Sequence, residues 1–182
     1  MTRLFVAVDV SEEIVAHLKE LQQGLKELVG EKQFKFVDDA HLTLLFLGEI
    51  EEEKIDSIKE ALGNIEFNKF ELSLTDLGVF PSEDYVKVVW LGVDQDKELM
   101  DLQKEMKANL SFLELRNDRE FHPHLTMARV KYLDDDDKKN ISEFLKQRPK
   151  PLKSDVSSFR LYKSTLTKEG PIYEILAEFS AQ

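Results

Sequence analysis

The sequence predicts an α+β fold of two pseudo-symmetric α/β lobes, each an antiparallel sheet with two helices, around a central cleft. Three observations predict it. Stretches that alternate apolar and polar residues, as strands do, are interleaved with stretches carrying apolar residues at helical spacing. That order of elements runs through the chain twice. Two tetrapeptides, His41-Leu42-Thr43-Leu44 and His124-Leu125-Thr126-Met127, recur 83 positions apart, each inside a strand-like stretch.

The elements follow in order. Leu4–Val10 reads as a first strand. Ser11 is the natural N-cap of a helix that reaches about Val29, with Ile14, Leu18, Leu21 and Leu25 as its apolar stripe. Strand His41–Leu47, a helix over Glu51–Leu62 and strand Phe70–Val79 complete the first half. The second half repeats the pattern with strand Val86–Val93, a helix over Lys97–Leu110, strand His124–Val130 and a helix over Asp135–Gln147. Strands Val156–Leu161 and Tyr173–Phe179 close the chain. Shifting Phe5-Val6-Ala7-Val8 by the motif spacing lands on Val88-Val89-Trp90-Leu91, and shifting Glu51 lands on Asp134. The expectation is a single domain with a lobe-level repeat of about 1–82 and 83–182. No linker rich in Pro, Gly or Ser divides it. Gly78-Val79-Phe80-Pro81-Ser82 reads as the turn where the chain crosses between lobes.

Composition narrows the function. The chain has 182 residues, 42% hydrophobic and 34% charged, which suits a packed interior with a soluble surface. No apolar run approaches the roughly 18–20 residues that span a bilayer. The opening segment is too short for a signal peptide and runs into acidic sequence. With no cysteine, disulfides and thiolate chemistry are excluded, and a reducing cytoplasm is the expected location. Abundant Lys and Glu without Cys also fit a heat-adapted host. The net charge of −11 is a poor footprint for gripping duplex DNA or long RNA. A short nucleic-acid end entering a locally basic cleft stays open. Glu51-Glu52-Glu53 and Asp134 to Asp137 open helical patterns, where carboxylates favour the helix N-terminus, and read as solvated helix starts rather than a metal cage.

A strand sends residues i and i+2 to one face, so each tetrapeptide presents an imidazole beside a hydroxyl, with leucine or methionine pointing into a core. Matching strands from the two lobes would set these faces opposite one another across the cleft. Of the four histidines, two therefore form a matched pair. An unperturbed pKa near 6.5 lets one imidazole accept a proton while the other, as imidazolium, donates one. For a phosphodiester in the cleft, one histidine can activate water and the other can protonate the leaving oxygen. Thr43 and Thr126 can donate to the non-bridging oxygens. No Gly-rich phosphate loop with a following Lys is present, so nucleoside triphosphate hydrolysis is a poor rival.

With these motifs, the opening Arg3-Leu4-Phe5-Val6-Ala7-Val8-Asp9, the run His41 to Gly48, the Gly78-Val79-Phe80-Pro81 segment and the run His124 to Arg129, the chain resembles the two-histidine phosphoesterases over essentially its whole length. It is most similar to the RNA 2′,3′-cyclic phosphodiesterases, also called 2′-5′ RNA ligases. The resemblance implies metal-independent hydrolysis of RNA 2′,3′-cyclic phosphates, or of small cyclic nucleotides, to 2′-phosphomonoesters without a cofactor, and ligation when run backward. It implies His41 as proton donor and His124 as proton acceptor. The pseudo-symmetry alone leaves those two roles interchangeable. Met127 departs from the more usual Leu or Val of the second motif, on the core-facing side.

Substrate contact is expected from Arg3, Phe5, Phe80, Pro81 and Arg129. Guanidinium groups offer paired donors to phosphate, and Phe80 on the crossing segment is the best candidate to stack a terminal base. Strict strand parity puts Arg129 opposite the Thr126 face unless the strand twists. Tyr85 and Trp90 are further stacking candidates, Trp90 reading better as core. Lys32, Lys35, Arg116, Arg119 and Lys163 are candidate rim cations. His122-Pro123-His124 with His41 resembles a metal-ligand set, but no carboxylate or thiol follows at ligand spacing. His17, on the first helix, reads as a partly exposed structural residue. The expected protein is a monomer acting on RNA ends, with neither a membrane nor duplex DNA as partner; a nucleotide-binding module without turnover is the alternative.

Overall fold

The structure, a computed structural model, describes residues 1–115, 120–168 and 170–182. In chain order the elements are β1 (Thr2–Asp9), α1 (Glu12–Leu28), β2 (Phe34–Phe36), β3 (His41–Ile50), α2 (Ile55–Gly63), β4 (Phe70–Ser82), β5 (Tyr85–Val93), α3 (Lys97–Asn109), β6 (His124–Val130), α4 (Asp135–Leu145), β7 (Lys153–Val156), β8 (Ser158–Leu166) and β9 (Pro171–Ser180). Local chemistry sets the starts of α1 and α4, whereas α2 begins at Ile55 after a 3-10 turn at Glu52–Lys54 rather than at Glu51. The Ser11 side chain accepts from the Ile14 N–H, and Asp134 and Asp137 exchange side-chain and backbone hydrogen bonds in a capping box.

The described strands form a single nine-stranded sheet in the order β7-β4-β5-β6-β3-β1-β8-β9, with β2 also on β6. The two lobes are therefore joined edge to edge. The central seam is the antiparallel contact of β3 with β6 at Leu42 and Leu125. A late strand of each repeat has crossed to the other side: β4 pairs with β5, while β8 pairs with β1 and carries β9 with it. This exchange makes one rigid body out of the two repeats.

All four described helices lie against one face of the sheet. Their apolar stripes, including Ile14, Leu18, Ile58, Leu62, Leu102, Met106, Ile141 and Phe144, share a core with Leu4, Val6, Val8, Leu42 and Leu125. Alternation then turns the neighbours of these strand residues to the other face. Phe5, Ala7 and Tyr162 form a separate small cluster there, against Tyr173.

The repeat is carried by strand register, not merely by element order. On β1 and β3 the facing residues are Phe5–Phe46, Val6–Leu45, Ala7–Thr43, Val8–Leu42 and Asp9–His41. On β5 and β6 they are Val88–Arg129, Val89–Ala128, Trp90–Thr126, Leu91–Leu125 and Gly92–His124. Every partner is displaced by the spacing of the two motifs. Each ladder also skips one residue at the same place, a bulge at Leu44–Leu45 on β3 and at Met127–Ala128 on β6.

Two sequence readings are corrected. Gly78 to Ser82 is not a turn but the end of β4, and the chain reverses at Glu83–Asp84. Gly and Pro serve other needs there. A Cβ on Gly78 would stand 2.2 Å from the Trp90 ring, and the Phe80–Pro81 peptide is cis at a register shift. Gly78→Ala should therefore lower stability by about 1–3 kcal/mol through overpacking, measured by urea unfolding; an unchanged midpoint would mean Trp90 can move aside. His17 is buried rather than partly exposed. Its Nε2 accepts the Lys150 N–H at 3.0 Å and its Nδ1 meets Glu20 at 3.1 Å, tying α1 to the segment before β7.

Candidate active site

The site lies on the sheet face away from the helices, across the β3–β6 seam. Leu42 and Leu125 are wholly buried, so the residues on either side of each leucine point outward. Counting one residue along antiparallel strands from this pair sets Thr43 across from His124 and His41 across from Thr126. The paired leucines thus anchor both motifs. The seam brings the four motif side chains to one face.

His124 donates from Nδ1 to the carbonyl oxygen of His122 at 2.7 Å, which leaves Nε2 free to accept a proton. The Phe80 ring stands edge-on to it, 4.9 Å between centroids, and Trp90 lies 6.1 Å away. Burial lowers its pKa below the ordinary value; the His122 carbonyl opposes this, while the nearby His122 and Arg129 charges reinforce it. The backbone of Asp39, two residues before His41, acts on that ring in the direction that favours its charged form. It stacks on Phe5 at 5.1 Å and meets Tyr173 edge-on at 5.3 Å. Burial lowers its pKa too, opposed by Asp39 and Asp9 and assisted by Arg129. The surroundings differ in one respect: carboxylates act on His41 but are not among the groups acting on His124, whereas Arg129 acts on both rings.

Arg129 is on the motif face, contrary to strict parity. The bulge at Met127–Ala128 inserts one residue between Thr126 and Arg129 and so reverses the alternation. Buried Gln22 of α1 holds this bulge, donating from Nε2 to the Met127 carbonyl at 2.9 Å and to the Val37 carbonyl at 2.8 Å. Arg129 acts electrostatically on His41, His124 and Tyr173, and it lines two cavities. The larger, about 910 Å³, also contains Thr43, Phe46, Phe80, Pro81, His124 and Thr126. The smaller, about 220 Å³, has Lys35, Phe36, Asp39, Ile172 and Tyr173 in its wall.

The remaining candidates separate clearly. Phe5 is 3% exposed and supports the His41 ring from below. Arg3 is paired with Glu49 at 3.0 Å and lines neither cavity. Lys163 lies 3.7 Å from Glu174, Lys32 lines neither cavity, and Lys35 lines the smaller one. Tyr85 sits at the exposed hairpin end beneath Lys87. Trp90 belongs to the cleft face beside Thr126 rather than to the main core. Arg116 and Arg119 lie outside the described residues. His122 packs its ring against Trp90 at 4.9 Å and Phe80 at 5.5 Å. Among the described residues no three His, Asp or Glu side chains are grouped as a metal's ligands would be, and no helix is long and apolar enough to cross a membrane.

Several residues of the site escaped the sequence reading. Tyr162 and Tyr173 reach His41 only because β8 and β9 cross to the first lobe. Gln22 looked like any polar position on a helix. Phe46, 59% exposed in the larger cavity, occupies the position equivalent to Arg129.

A family model described as LigT like phosphoesterase matches this chain twice in succession, over residues 8–90 and 91–173. The RNA 2′,3′-cyclic phosphodiesterase of Archaeoglobus fulgidus is 38% identical over 97% of this chain and 99% of its own length. The crystal structure of TT0787 of Thermus thermophilus superposes with a TM-score of 0.82 at 30% identity, covering 98% of this chain and 97% of that one. The structure of E. coli LigT complexed with 3′-AMP superposes with a TM-score of 0.78 at 26% identity, covering 100% and 98%.

Proposed function

This chain belongs to the LigT-like phosphoesterase family, and on that premise we propose that it hydrolyses RNA 2′,3′-cyclic phosphate ends to 2′-phosphomonoesters, with His41 and His124 as the acid–base pair. The observation that carries the reading is the seam: one antiparallel contact, Leu42 with Leu125, turns both His-x-Thr pairs to the same side of the sheet, where Thr43, His124, Thr126 and Arg129 line one cavity.

Water enters on the His124 side. The free Nε2 takes its proton as the water oxygen bonds to phosphorus. The bond from phosphorus to O3′ breaks, and the departing O3′ takes the proton held by His41. O2′ keeps the phosphate. Thr43, Thr126 and Arg129 donate to the non-bridging oxygens, where negative charge grows. The charge environment supports this direction. Asp39 and Asp9 favour the protonated form of His41, while Arg129 disfavours charge on both rings, so the carboxylates are what tip the proton toward His41. The name of the A. fulgidus relative and the 3′-AMP complex of E. coli LigT support a ribonucleotide end as substrate. The same displacement with a 5′-hydroxyl in place of water would form a bond from phosphorus to O5′ as the bond to O3′ breaks, giving a 2′-5′ linkage.

None of these steps needs a metal. The protein, treated with excess EDTA, should convert RNA carrying a 2′,3′-cyclic end to the 2′-phosphate at an undiminished rate, read by mass and by resistance to a 3′-specific phosphatase. Activity abolished by chelation and restored by one divalent cation would overturn the metal-independent reading. A 3′-phosphate product would reverse the leaving group and with it the two histidine roles. Tight nucleotide binding with no product would favour a binding module.

A further inference from the structure

The duplicated register makes the two halves of the site directly comparable, and they differ most beside the histidines. Directly opposite residues on antiparallel strands share a face with their Cβ atoms about 4.5–5.5 Å apart. His41 faces Asp9, whereas His124 faces Gly92. On the next strand out, Arg160 faces Ala7 and Tyr162 faces Phe5; the equivalent positions of β4 are Gly78, opposite Trp90, and Phe80, opposite Val88. One half therefore carries an acid, a base and a phenol where the other carries two glycines and a phenylalanine.

These three groups are bonded together. The Tyr162 hydroxyl donates to Asp9 Oδ1 at 2.8 Å, and Arg160 Nη1 donates to Asp9 Oδ2. Arg160 Nε donates to Glu178 Oε2 at 2.9 Å, so one guanidinium is shared between two carboxylates and the cluster keeps net negative charge. Tyr162 also stacks on Phe5, with centroids 5.1 Å apart and planes within 9°, and Phe5 in turn stacks on His41. Asp9 is thereby fixed at both oxygens on the His41 side.

We propose that Asp9 is the positioning residue that makes the two histidines unequal, holding a carboxylate beside His41 so that His41 carries the proton to the leaving oxygen while His124 stays neutral. The proposal rests on the reaction proposed above. The charged and titratable groups around His41 are Asp9 on β1, Asp39 ahead of β3, Arg129 on β6, Arg160 and Tyr162 on β8, and Tyr173 and Glu178 on β9. Asp39 favours the charged ring as Asp9 does, Arg129 opposes it, and Arg160 partly neutralises Asp9. Asp9 acts on His41 and not on His124.

The test pairs Asp9→Asn with Arg160→Gln. The first keeps the shape and removes the charge; the second removes the cation that neutralises Asp9. The readouts are ring-nitrogen NMR titrations of both histidines in the free protein and the pH profile of kcat on a 2′,3′-cyclic substrate. Asp9→Asn should lower the His41 midpoint, an effect softened because Asp9 is half exposed and screened by solvent. The alkaline limb of kcat, which reports the proton donor, should move down with it, giving about threefold lower activity above the optimum. Arg160→Gln should move both in the opposite direction. The His124 midpoint and the acid limb should stay in place. A loss of packing alone would depress activity in both variants without opposite shifts. An unmoved His41 midpoint in Asp9→Asn, or equal movement of His124, would overturn the proposal. Should the wild-type protein convert no cyclic phosphate, the functional reading fails by itself, and the titrations still decide whether Asp9 separates the two rings.

Discussion

His124→Ala and His41→Ala should each lower kcat by about 10²–10⁴-fold, the usual worth of one general acid or base, while a 2′-phosphorylated nucleotide still binds. The double variant should lose far less than the product of the single losses, because the two groups act in one concerted transfer. Both side chains are partly exposed and lie outside the shared core, so the fold should persist. Asparagine at position 124 can keep the hydrogen bond to the His122 carbonyl, and asparagine at either position serves as the control for local packing. Single-turnover measurement on RNA with a 2′,3′-cyclic end, alongside thermal unfolding, separates chemistry from folding. Turnover within about tenfold of wild type by either single variant would mean that its imidazole does not transfer a proton. Unequal effects on the two limbs of the pH profile would identify donor and acceptor.

Much of this site is legible in the sequence because the repeat is written there as paired motifs and alternating patterns. The positions of His41, Thr43, His124 and Thr126 follow from period-two parity, and the buried leucines between them confirm that parity. The helices are legible from their apolar stripes, and for α1 and α4 from the capping residues Ser11 and Asp134 as well. What the sequence hides is non-local. The exchange of β4 and β8 between the halves leaves no local mark, so nothing in the sequence around Tyr162, one residue past the expected strand Val156–Leu161, places it beside His41. Phe34–Phe36 is too short to show alternation. Glycine and proline misled in β4, because a residue chosen to make room for Trp90 looks the same in sequence as one chosen to make a turn. Bulges are equally silent. One inserted residue on β6 turned Arg129 from the wrong face to the right one.

That reversal carries the other large prediction. Arg129→Ala should lower kcat by about 10²–10³-fold, the range found when one preorganised donor to a developing oxyanion is lost, and should weaken phosphate binding as well. Arg129→Lys should recover part of the rate but not all, because ammonium restores the charge without the paired planar donors. The pH profile provides a second, independent signature. Arg129 holds the pKa of both histidines down; removing its charge raises both, so the acid and alkaline limbs should move together toward higher pH. No other substitution considered shares that pattern: Asp9→Asn moves only the alkaline limb, and downward. Steady-state kinetics across pH with a cyclic-phosphate substrate measures both quantities at once. A full rate in Arg129→Ala, or limbs that stay where they are, would place the guanidinium outside the reacting group's reach. The bulge held by Gln22 would then serve the packing of α1 against β6 rather than the chemistry of the cleft.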